Sequence, residues 1–437
     1  MEELVFNWHS FYYEVALLRH GSESRISLNQ AKSQGRPGKG NILKEPMNVQ
    51  FGIDRFLADH SFQRSARLAL VTNNSACTAS YVPSRLALLS SGRRVVRLFS
   101  PEHGLQAIGP DGHPMAGGTD RLTGLPFISL YGGELEPSES ALSDVDAVLF
   151  DLPDVGCRCY TYLWTLSHVM EACNRHGKTV IVLDRPNPIS GLLSLAEGPS
   201  LDESRCSSFI GRWDIPLRHS CTYGELALLW KSERLKSLDL KVVKTDGWSR
   251  EMFYHDGMSS FVPTSPAISS FESCLLYSGL CLLEATNLSE GRGTGLAFRV
   301  AGAPWLDAIA MTEQFNRLGL QGVIARAVTF IPESGKYRGE SCNGLMFHVV
   351  DVKSLRPVSL AVMLIKCIKD LHLESFQWST YATHVNPSGE RHLDKLLGIE
   401  NAESLFAQDW TLFVPAMKQL LNCAEWESRV QPHLLYA

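Results

Sequence analysis

The sequence predicts an α/β fold: a Rossmann-like, doubly wound, mostly parallel sheet followed by a smaller α+β C-terminal domain. Short β-branched apolar runs recur between residues 68 and 183 without polar alternation, the pattern of strands covered on both faces. Each run leads through a polar Gly/Pro/Asn loop into a helical stretch, which makes successive strands parallel. Beyond Gly247 the texture changes to long Ser-, Gly- and Pro-rich loops with fewer, more scattered runs. A chain of 437 residues also exceeds the roughly 250–300 residues at which one core stops growing. We therefore divide it into 47–246 and 247–437.

The elements follow in order. Residues 1–46 have no basic segment followed by an apolar one, and Arg25 to Glu45 is polar and aperiodic. They read as a disordered extension, or as a start site placed too early. Strands are expected at Leu68–Thr72, Val95–Phe99, Phe127–Leu130, Ala147–Phe150, Thr179–Leu183 and Leu238–Lys244. Helices are expected at Tyr160–His176 and from Thr222, where Thr222 and Glu225 have capping-box spacing. In the second part, Leu280–Leu283 reads as a strand end, Leu306–Leu318 and Val358–Leu371 as helices, and Ala325–Phe330 and Leu345–Val350 as strands.

Composition excludes several classes. A net charge of -5 offers no basic stripe for a phosphate backbone, so nucleic acid is not an expected partner. No run of ~18 apolar residues predicts a membrane span. Eleven cysteines without repeated C-x-x-C spacing suggest reduced core thiols rather than a zinc site. They fit a reducing compartment, and a cytoplasmic location is expected; a misassigned N-terminus would instead allow a periplasmic or extracellular one. Oligomeric state is not legible.

Ligands of a parallel sheet bind beyond the carboxyl ends of its strands, so the loops after the apolar runs carry the candidates. They are Ser100-Pro101-Glu102-His103-Gly104, the segment Asp151 to Tyr160, and Asp184-Arg185-Pro186-Asn187-Pro188. They bring carboxylates, guanidinium groups, a His and an Asn to one rim. Such a set suits glycoside hydrolysis, which needs one carboxylic acid to protonate the leaving oxygen and a second group at the oxocarbenium-like centre. Glu102, on a Pro- and Gly-bounded loop, is the first choice for the acid; the bland alternative is an ion-paired loop Glu. Asp151 and Asp154 suit either catalysis or helix capping. A further polar cluster runs from Glu284 to Thr294, where Gly291 and Gly293 flank Arg292 and would leave its guanidinium free to bind a carboxylate, unless the loop is simply a solvated surface.

Other chemistries lack their fingerprints. The first strand is followed by Asn73-Asn74-Ser75 rather than G-x-G-x-x-G, and no Walker loop, H-E-x-x-H or G-x-S-x-G occurs. Neither a nucleotide cofactor nor a metal is expected. An esterase or amidase would need an activated nucleophile, for which only Cys157 and Cys159, flanking Arg158, offer themselves.

Together these segments resemble the exo-β-N-acetylmuramidase family of peptidoglycan hexosaminidases. The matching stretches include SPEHGL at Ser100, DLPDVGCRCYTYL at Asp151, LDRPNPISG at Leu183, IPLRHSCTYGELA at Ile215, ATNLSEGRGT at Ala285 and KYRGESCNGL at Lys336, in order between Phe51 and Gly398. The resemblance implies a two-domain enzyme with its site in the cleft between the domains. It further implies release of terminal N-acetylmuramic acid (MurNAc) from MurNAc-GlcNAc fragments in cell-wall turnover or recycling, without metal or nucleotide. It maps the family's catalytic Glu onto Glu102, with Asp154 and Glu290 as candidates for the second group. Expected substrate contacts are His103, Asp151, Arg158, Tyr160, Asp184, Arg185, Asn187, His219, Glu284, Asn287 and Arg292. The 3-O-lactyl carboxylate of MurNAc calls for a cation, Arg292 or Arg158. Ser220 stands where the family pattern has Gly, Ala267 where it has Asn, and Ala285 where it has Gly; Leu152-Pro153 replaces Ile-Gln and Gly335 replaces Ser. Loss of the Asn amide makes a weakened muropeptide-binding protein of the same fold the alternative reading.

Overall fold

A computed structural model describes residues 49–437 apart from 64, 258 and 259; the extension expected over 1–46 lies outside the described residues. The first sheet contains β1 (Arg67–Val71), β2 (Arg94–Ser100), β3 (Gly118–Thr119), β4 (Pro126–Ser129), β5 (Ala147–Phe150), β6 (Thr179–Leu183) and β7 (Leu240–Val243). Their spatial order is β3-β4-β2-β1-β5-β6-β7, and every pairing is parallel except that of the edge strand β3 with β4. Without that edge strand the order is the doubly wound 3-2-1-4-5-6, whose direction reverses between β1 and β5. The loops after β1, β2 and β5 therefore open onto a shared crevice.

Helices cover both faces. Among them are α1 (Gly52–Ala58), α2 (Ser84–Ser90), α3 (Tyr162–Arg175) and α4 (Tyr223–Glu233). The expected capping box starts α4: Thr222 Oγ1 accepts from the Glu225 amide at 3.2 Å, and Glu225 accepts from the Thr222 amide at 3.0 Å.

The second part contains α5 (Phe271–Leu280), the antiparallel strands β8 (Val300–Ala303), β9 (Val323–Phe330) and β10 (Cys342–Val349), and helices α6 (Ala308–Arg317), α7 (Pro357–Leu371) and α8 (His392–Leu397). The strand order is β8-β10-β9. One expectation fails here: Leu280–Leu283 is the end of α5 running into a 3-10 turn, Cys281–Ala285. A short apolar run buried on all sides carries no periodicity to separate strand from helix, and Ser270, which caps α5 by accepting from the Ser273 amide at 3.1 Å, lies outside the run. Helices α5 and α7 pack so closely that a Cβ on Gly279 would stand 1.7 Å from the Pro357 carbonyl oxygen. One hydrophobic cluster extends from Ala69 to Val430 and fixes the two parts together around the crevice. No helix among the described residues is long and apolar enough to cross a membrane.

Candidate active site

A cleft of about 570 Å³, including its open mouth, is lined from the first sheet by Glu102, His103, Asp111, Gly112, Tyr160 and Thr161. From the second part come Tyr277, Glu284, Arg292, Tyr381, Thr383 and His392.

Glu102 is carried on the turn after β2 and is buried. Its Oε1 accepts from the Gly112 amide at 2.7 Å, and the Thr161 hydroxyl is a second partner. Gly112 has φ 68°, and a Cβ there would meet Thr383 Cγ2 at 2.8 Å, so only glycine brings this amide to the carboxylate. Burial pushes the Glu102 carboxyl above the usual carboxylate range, reinforced by the charge of Asp111 and opposed by His103. Asp111 has the reverse character. Burial would raise it, but Arg292, His103 and the Tyr381 hydroxyl hold it below its usual value. One oxygen of each carboxylate and a ring nitrogen of His103 all lie within 4.8 Å of one another.

The opposite wall is a charged lattice. Arg292 donates through Nη2 to Glu284 at 2.6 Å and through Nε to Glu290 at 2.8 Å, and Nη2 lies 3.4 Å from Asp111. Among the described residues its Nη1 has no hydrogen-bond partner. His392 Nε2 lies 3.3 Å from the second oxygen of Glu284, and its ring stacks on Tyr381 at 4.8 Å.

Of the residues expected from the sequence, the structure brings Glu102, His103, Tyr160, Glu284 and Arg292 to this cleft and puts the others elsewhere. Glu290 is buried behind Arg292, paired also with Lys336 at 3.4 Å; these cations hold its carboxyl low against the effect of burial. Asn287 ties loops together, its amide donating to the Ser375 carbonyl at 2.8 Å. Asp154 faces a neighbouring cavity lined also by Ser75, Cys77 and Arg185, and lies 3.4 Å from His219, which is fully buried. Asp151 and Arg185 form a buried pair at 2.6 Å. Asp184 accepts from Thr222 at 2.7 Å, the Gly224 amide at 2.8 Å and Tyr436 at 2.6 Å, and Asn187 donates to the Cys221 carbonyl at 3.0 Å.

The expectation that Arg158 faces a substrate carboxylate is corrected. Its guanidinium is fully buried and donates to the carbonyls of Pro199, Ile215 and Leu396 at 2.7, 2.7 and 3.0 Å. The sequence reading missed Asp111, Thr161, Tyr381 and His392. The Gly109-Pro110-Asp111-Gly112 segment carries a turn signal that masks its carboxylate, and the other three have no local signal. Ala267, at the position where the resemblance implied Asn, does stand in the cleft wall.

The chain is similar to known proteins along most of its length. Residues 68–272 match the family described as exo-β-N-acetylmuramidase NamZ, N-terminal, and residues 275–436 match its C-terminal counterpart. The chain is 38% identical over 350 residues to the peptidoglycan β-N-acetylmuramidase NamZ of Bacillus subtilis (strain 168), covering 80% of this chain and 84% of that one. The crystal structure of a DUF1343 family protein from Bacteroides fragilis NCTC 9343 superposes with a TM-score of 0.78 at 28% identity, covering 90% of this chain and 100% of that one. A second from the same organism, at 24% identity and a TM-score of 0.65 over 89% and 99%, shares the fold. The chain therefore belongs to the exo-β-N-acetylmuramidase NamZ family.

Proposed function

We propose that this enzyme releases β-1,4-linked MurNAc from the non-reducing end of peptidoglycan fragments, with Glu102 as general acid and Asp111 as the carboxylate at the anomeric carbon. The observation that carries the reading is the opposed character of these two groups in one cleft. Environments that push two carboxyls apart divide acid from base or nucleophile. Burial raises the affinity of Glu102 for a proton, which suits donation to the departing glycosidic oxygen. Asp111 stays ionised beside Arg292 and meets the positive charge that develops on the sugar. One oxygen of each carboxylate lies within 4.8 Å of the other, so the two groups can act on the same glycosidic bond. The free Nη1 of Arg292 is the donor available to the lactyl carboxylate.

The test is hydrolysis of a chromogenic β-MurNAc glycoside, its β-GlcNAc analogue and natural MurNAc-GlcNAc. MurNAc-selective release is expected, falling about 10²–10⁴-fold in folded Glu102→Gln and strongly in Asp111→Asn. No release from any of the three by folded protein overturns the reading in favour of a muropeptide-binding protein.

A further inference from the structure

Behind the cleft wall the fold assembles three thiols that this reaction does not use. Cys157 and Cys159 lie on the loop leading into α3, and Cys281 opens the 3-10 turn after α5. Their sulfurs lie within 4.8 Å of one another, and all three residues are buried. All eleven cysteines are free thiols, yet among the described residues no other three gather in this way. We propose that Cys157, Cys159 and Cys281 form a three-thiolate site for one soft divalent d¹⁰ cation of the zinc or cadmium kind.

Geometry and charge both favour it. Metal–thiolate bonds of about 2.3 Å put sulfurs roughly 3.8–4.0 Å apart, so the trio contracts by under about 1 Å and leaves a fourth position for water. Three thiolates and a divalent cation leave one negative charge, and Arg158, between two of the ligands in sequence and fully buried, neutralises it. Its Nε is buried without a hydrogen-bond partner. Loading displaces the protons of the ligating thiols. Cys159 also lines the cleft, which provides a way in. A bound ion would staple the turn carrying Glu284 to the loop carrying Tyr160 and Thr161. The sequence hides the site because the third ligand comes from a distant element.

The experiment titrates reduced, metal-free, full-length protein with Cd²⁺, following thiolate-to-cadmium absorption, thermal unfolding and the ¹¹³Cd resonance of the loaded protein. One equivalent should bind, raise Tm by several degrees and resonate in the three-thiolate region. Cys157→Ala and Cys281→Ala should each weaken binding at least tenfold, and Cys173→Ala should leave it unchanged. Absence of stoichiometric binding by folded wild type, a resonance outside the thiolate region, or undiminished binding by folded Cys281→Ala each overturns the proposal. The wild-type resonance decides the matter if the variants do not fold.

Discussion

Tyr381 donates its hydroxyl to Asp111 Oδ2 at 2.5 Å, joining residues 270 apart in sequence across the mouth of the cleft. This bond favours the ionised carboxylate. Activity should form a bell against pH, because Asp111 must be ionised and Glu102 protonated. The acid limb is lost as pH falls through the lowered pKa of Asp111, and the alkaline limb as pH rises through the raised pKa of Glu102. Tyr381→Phe removes a donor to a charge, worth about 1.5–3 kcal/mol, so it should move the acid limb of kcat/KM upward by about one to two pH units and leave the alkaline limb in place. Superimposable profiles would refute this role for Tyr381.

Arg292 and Arg158 separate recognition from architecture. Arg292→Lys loses the planar fork and its free Nη1. Its kcat/KM should drop at least tenfold further on the MurNAc glycoside than on the GlcNAc analogue. Arg158→Met should instead lower Tm, since three buried carbonyls lose their donor at about 1–3 kcal/mol each, while the ratio between the two substrates stays fixed. Equal losses on both substrates in Arg292→Lys would remove that residue from lactyl recognition.

The parallel strands were legible in the sequence because burial on both faces leaves contiguous apolar runs: AVLF and TVIVL coincide with β5 and β6. Glu102 was legible because strand ends of such sheets point at ligands. The same rule brought in Asp151, Asp184 and Arg185, which also follow strands but pair inward, and no local pattern separates a carboxylate that faces a cleft from one that ties loops together. Asp111 was hidden by turn chemistry, and Tyr381 and His392 by distance. The Leu280–Leu283 run was misread because contiguous apolar residues suit a buried helix end equally well.

The Asp154–His219 pair predicts a pH signature in stability. Burial raises the Asp154 carboxyl to about 7 and lowers the His219 imidazole to about 3. For Asp154 the folded state keeps a proton that the unfolded chain has lost, so its contribution to stability falls as pH rises from about 4 to 7. For His219 the unfolded chain holds the extra proton below about 6.5, so its contribution falls as pH drops from about 6.5 toward 3. The two slopes, each about 1.4 kcal/mol per pH unit, oppose one another and largely cancel. Asp154→Asn removes one of them. Its stability relative to wild type should rise by about 1.4 kcal/mol per unit between pH 4.5 and 6.5, measured by urea unfolding at fixed temperature. A difference independent of pH would show that Asp154 is already ionised in the folded protein.

Ser220, at the position where the resemblance implied glycine, occupies the left-handed region at φ 55°, and the surrounding contacts hold it there. Its carbonyl accepts from Arg250 Nη2 at 2.7 Å, and the Cys221 amide donates to His219 Nδ1 at 3.2 Å. A side chain in this region costs about 1–2 kcal/mol, and the Ser220 hydroxyl is buried without a partner, which adds about 1–3 kcal/mol. Glycine relieves both and gives back about 0.5–1 kcal/mol through the greater freedom of the unfolded chain. Ser220→Gly should therefore stabilise the enzyme by about 1–4 kcal/mol, raising Tm with little change in kcat/KM because Ser220 does not line the cleft. A lower Tm would mean that the hydroxyl contributes more to the folded state than the backbone strain removes.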